Sequence, residues 1–99
     1  MDAREQTSEF RRFERTTVLW SGQLVFQEQS VACVIVNISS GGAMVRAEDS
    51  AIFVTSVVLH CSRFGELDAE VVWRQHEEIG LKFADNPETI AGVLGRALK

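Results

Sequence analysis

From Thr16 onward the apolar residues fall into short runs separated by polar breaks: TTVLW, QLVFQ, VACVIVNI, AMVRA, FVTSVVLH, LDAEVVW and IGLKF. Runs of about five to eight residues, rich in β-branched and aromatic side chains, predict strands rather than helices. Ser21-Gly22 reads as a turn between the first two runs, and NISSGG as a turn after the third. Arg63-Phe64-Gly65 and Gln75 to Glu78 separate the last three. VACVIVNI sets Val31, Cys33 and Ile35 on one face and Val34 and Val36 on the other, a pattern that suits burial on both faces. Six or so strands at regular spacing predict an antiparallel sandwich or small barrel, and closure is favoured because it removes exposed sheet edges.

The period changes near the end. In DNPETIAGVLGRALK, Asn86 suits a helix cap and Pro87 the first helical position. Ile90, Val93, Leu94, Ala97 and Leu98 then recur at spacings of three and four, which predicts a helix over 87–98 with one apolar stripe. Gly92 and Gly95 weaken that helix by about 1 kcal/mol each relative to alanine, so it needs the barrel to lean on. The polar opening, residues 1–9, reads as a flexible tail, and residues 10–99 as a single domain.

Composition changes this picture little. The chain has 99 residues, 45% of them hydrophobic and 24% charged, ordinary values for one globular domain. No apolar run approaches the roughly 20 residues that span a bilayer, and MDAREQTSEF has no apolar signal region. Cys33 and Cys61 each sit in a strand-like run and read as buried small hydrophobes in a reducing cytoplasm. The adjacent His60-Cys61 cannot place both side chains on one strand face, so neither a metal site nor a Cys–His nucleophile is indicated.

Charge is more informative in its placement than in its sum. A net charge of −4 argues against binding DNA or RNA through a basic field. Yet Arg4, Arg11, Arg12 and Arg15 lie within the first fifteen residues, interleaved with Asp2, Glu5, Glu9 and Glu14. Planar guanidinium forks in a locally neutral segment suit one specific anion better than a diffuse one. The turn after the third run is Asn37-x-Ser39-x-x-Gly42, offering an amide, a hydroxyl and two glycines. Gly41 and Gly42 permit positive φ and close approach of another molecule. Alone, the turn fits an ordinary strand connection, and the arginines a salt-bridged surface segment. Together they supply charge for phosphates and directional contacts for a purine.

RRFER followed by NISSGG resembles the paired signature of PilZ domains, RxxxR and then (D/N)xSxxG. The closing stretch ELDAEVVWRQHEEIGLKFAD is similar to that family's usual ending, and the likeness covers about residues 10 to 85. The resemblance implies an all-β fold, a six-stranded antiparallel barrel, that binds the second messenger cyclic di-GMP. It implies ligand contacts from Arg11, Arg15, Asn37, Ser39 and Gly42, with Arg12 as an additional arginine. Trp73 and Arg74 match as second-tier contacts, although an alternating apolar strand more often buries its tryptophan. Asn37 stands where many members carry Asp. No cofactor is implied beyond the ligand, and ordering of the arginine arm for an unidentified protein partner is the expected signal. Motility, surface polysaccharide and virulence are the processes the family suggests. Two other classes stay open: an interaction domain that binds no nucleotide, and an enzyme, for which paired carboxylates, metal ligands and a nucleophile motif are all missing.

Overall fold

The computed structural model describes residues 15–47 and 54–98. The predicted tail, Arg11 and Arg12 lie outside them. Six strands, β1 (Thr16–Phe26), β2 (Gln29–Ile38), β3 (Gly42–Arg46), β4 (Ser56–Cys61), β5 (Gly65–Gln75) and β6 (Glu78–Phe83), are followed by helix α1 (Pro87–Ala97). The strands close into an antiparallel barrel in the order β1-β2-β3-β6-β5-β4. The barrel and the helix are those the strand pattern and the family resemblance led us to expect.

Two expectations are corrected here. Ser21-Gly22 is not a turn: β1 runs through it, and Gly22 pairs with Cys33 inside the β1–β2 ladder. The reversal comes at Gln27 and Glu28, both with positive φ (49° and 64°), so a two-residue hairpin turn forms without the usual Asn or Gly. Nor is β2 buried on both faces. Cys33 and Ile35 point into the core, whereas Val34 is 40% exposed. An antiparallel barrel wall has one solvated side, which decides the matter.

The core runs along the barrel axis. Leu24, Ile35, Val45, Leu59 and Ile79 are essentially inaccessible to solvent, and Ile90 and Leu94 of α1 join the same cluster. Leu98, which the apolar spacing assigned to the stripe, is instead the C-cap and is exposed. At the N-terminus of α1 the Asn86 Oδ1 accepts a hydrogen bond from the Glu88 N–H at 2.7 Å, and Pro87 opens the first turn. Gly92 and Gly95 face outward, with nothing within 4 Å of an added Cβ. Gly92→Ala and Gly95→Ala are each expected to stabilise the fold by about 0.5–1 kcal/mol. A rise in the urea midpoint at unchanged slope is the measurement.

Both cysteines are free and buried. Burial, and secondly the neighbouring Cys61, push the Cys33 thiol from 9.0 up to about 12. The unfolded chain therefore releases this proton near pH 9 while the folded chain keeps it. The contribution is intact below pH 9 and is lost as pH rises from there towards 12. Wild-type stability should thus fall above pH 9, by up to about 1.4 kcal/mol per pH unit from this group. Urea unfolding across that range should show a shallower decline in Cys33→Ala.

Three register irregularities shape the wall. Between matching rows the chain takes one step on β3 (Val45 to Met44), two on β2 (Ile35 to Asn37) and three on β1 (Trp20 to Thr17). A further shift lies between Val71 and Trp73 on β5. Such bulges re-aim side chains, and here they determine which residues leave the barrel outward.

Candidate functional site

Strict alternation from the inward Cys33 and Ile35 would turn Asn37 inward as well. The extra residue Val36 reverses this, so that Asn37 pairs with the outward Met44 while Ile38 takes the buried place. Asn37 thereby meets Arg15, which stands just before β1. The Arg15 Nη1 donates to the Asn37 Oδ1 at 2.6 Å. Residues 22 apart in sequence, one from each motif, are thus in direct contact on the outer wall. A guanidinium has five donors, and this bond occupies only part of that set.

The turn after Asn37 is held mainly by its own atoms. Ser39 is buried; its N–H donates to the Gly42 carbonyl at 2.8 Å, and its Oγ accepts from the Gly41 N–H at 3.2 Å and donates to the Gly42 carbonyl at 3.4 Å. The Phe83 N–H donates to the Gly41 carbonyl at 3.0 Å and ties the turn to β6. Ser39 thus shapes the turn and carries Asn37 with it. Gly42 is required for space rather than for positive φ, which Gly65 alone shows among the described glycines. A Cβ on Gly42 would collide with the backbone oxygen of Leu81. Ser40, which the motif leaves unspecified, is also buried, and its Oγ has no hydrogen-bond partner among the described residues.

Trp73 is not a core residue. Leu67, Ala69 and Val71 point inward, and alternation would send residue 73 after them. The bulge at Val72 turns it out, leaving Trp73 42% exposed opposite Gly80. The pairings Thr17–Asn37, Asn37–Met44, Met44–Gly80 and Gly80–Trp73 form one continuous row across five strands on the outer face. Asn37 and Trp73 are three strand spacings apart along it, roughly 14 Å of wall. Arg74 does not share this row: it pairs with the buried Ile79 and is itself exposed.

The structure therefore brings Arg15, Asn37, Ser39 and Gly42 together, sets Trp73 further along the same outer row, and leaves Arg74 off that row. Thr17, Met44 and Gly80 belong to the row and were missed. Only strand register joins them to the motifs, and a single sequence does not display register. No group of three or more His, Cys, Asp or Glu side chains is arranged to hold a metal among the described residues. No described helix is long and apolar enough to cross a membrane.

The chain is a small closed antiparallel barrel in which an arginine ahead of β1 is hydrogen-bonded to an asparagine of β2. The sequence matches the family profile described as PilZ domain over residues 9–99, and the chain belongs to that family of cyclic di-GMP-binding domains. Its fold is similar to the crystal structure of an uncharacterized Legionella protein, with a TM-score of 0.57 and 27% sequence identity. That similarity covers 84% of this chain and 89% of the Legionella chain. Among curated proteins, none matches.

Proposed function

We propose that this chain is a receptor for cyclic di-GMP that holds the dinucleotide on the outer wall, between the arginine leader and the Asn37–Gly42 turn. The contact between Arg15 and Asn37 carries this reading, because it joins the two halves of the family signature at one place. Arg15 donates to a phosphate or to the O6/N7 edge of guanine, for which its planar fork is matched. Arg11 and Arg12, in the same leader, add donors for the second phosphate. Asn37 contacts a guanine edge as a neutral amide, without the two strong charge-assisted bonds a carboxylate would accept. Ser39 and Gly42 keep the turn narrow and close to β6. Trp73 offers a base-stacking surface further along the row, and Arg74 is left outside the primary contacts.

The output is a change in the leader. Dinucleotide binding orders it, and a downstream protein partner reads the ordered surface, in motility or exopolysaccharide control. The chain acts as a receptor and not as an enzyme, and its free buried cysteines suit the reducing cytoplasm.

A thermal shift tests the reading. Cyclic di-GMP at a hundred times its dissociation constant should stabilise the fold by about 2.7 kcal/mol, with GMP and GTP giving little at the same concentration. No shift with any of the three would make the chain an interaction domain that binds no nucleotide.

A further inference from the structure

Gly80 lies on the outward side of β6, between the buried Ile79 and Leu81, yet it is itself buried. The Trp73 indole covers it. Three adjacent atoms of the five-membered ring, Nε1, Cε2 and Cδ1, would all crowd a Cβ placed on Gly80. A substituent approaching in the ring plane would meet one atom and stand clearly further from its two neighbours. Comparable crowding by all three means that the ring lies face down on the glycine. Its opposite face is then turned to solvent, in keeping with the exposure of Trp73.

We propose that Gly80 is a positioning residue: by presenting no side chain, it lets Trp73 lie flat against the barrel wall as a stacking platform for one guanine of the ligand. The inference rests on the nucleotide-receptor reading and adds to it the residue that sets the platform's angle. Any Cβ at position 80 must lift or tilt the indole, because the backbone of a paired strand cannot retreat within the ladder. A flat ring continues the row from Asn37 through Met44 and presents its open face in the direction in which Asn37 projects. A lifted ring would present an edge instead, and stacking requires a face. The bulge at Val72 and the glycine at position 80 act together: the first brings Trp73 outward, and the second lays it down.

The test uses a Trp20→Phe parent, in which Trp73 is the sole tryptophan. Trp73→Ala and Gly80→Ala should each weaken cyclic di-GMP binding about ten-fold by isothermal titration, the weight of one base–aromatic stack. Because both changes remove the same contact, the double variant should bind no more weakly than Trp73→Ala alone. Acrylamide quenching of Trp73 should rise in Gly80→Ala before any ligand is added. In the unmutated parent the Gly80 Hα resonances should be shifted strongly upfield by the indole ring current and return to ordinary values in Trp73→Ala. This measurement decides the geometry even if Gly80→Ala does not fold. Ordinary Hα shifts in the parent would overturn the inference, as would Trp73→Ala binding like the parent. Parent-like binding by Gly80→Ala beside a ten-fold loss in Trp73→Ala would overturn the role of Gly80 and leave the receptor reading standing. A parent that does not bind cyclic di-GMP would overturn both.

Discussion

Arg15→Ala should weaken cyclic di-GMP binding by about a hundred-fold or more while leaving the fold almost as stable as before. The two halves of this expectation have different causes. Charge-assisted, bidentate bonds to a phosphate or a guanine edge are among the strongest polar contacts, and a buried one typically contributes about 2–5 kcal/mol when a partner is removed. In the free protein the same guanidinium is exposed, and among the described residues it bonds to a neutral amide. An exposed contact of that kind contributes at most about 1 kcal/mol. Arg15→Lys should fall between, since an ammonium keeps the charge and loses the fork. Isothermal titration beside urea unfolding separates the two effects. Wild-type affinity in Arg15→Ala would sink the proposed mode of binding.

Gly42→Ala should produce the largest loss of stability of any single methyl added to the described wall. The new Cβ falls on the backbone oxygen of Leu81, at the seam where β3 pairs with β6. Gly42 pairs there with Lys82, so the obstacle is a main-chain atom held by a ladder and not the tip of a flexible side chain. Relief requires the two strands to part, and a closed barrel has no free edge along which to slide. A cost of about 3 kcal/mol or more is expected, large against the 5–15 kcal/mol that holds a typical domain. The same substitution at Gly92 or Gly95 should stabilise, because those positions are open and helical. A thermal melt of Gly42→Ala within a few degrees of wild type would contradict the overlap.

These two residues show how far the motifs could be read before the fold was known. The motif marks Gly42 for backbone freedom, whereas its role is to let β6 pass closely. The spacing of a glycine in a turn does not reveal which strand will lie against it. The motif offers Ser39 as a directional contact, and its hydroxyl is engaged within its own turn. The family resemblance implies one site for Arg15 and Asn37, and the two side chains are hydrogen-bonded to each other. Arg11 and Arg12 lie outside the described residues.

The barrel and the helical cap at Asn86 were legible along the chain, because each rests on local chemistry, alternation and capping propensity. That the two motifs belong to one site was implied only by the family resemblance. What faces outward was not legible. Alternation counted from Ile35 turns Asn37 into the core, and counted from Val71 it buries Trp73. Two extra residues, Val36 and Val72, reverse both assignments. Such a bulge exists only as a mismatch between one strand and its neighbour, so it has no signature within either strand. Local pattern therefore decided which segments become wall and helix, and the long-range register of the closed sheet decided which side chains that wall displays.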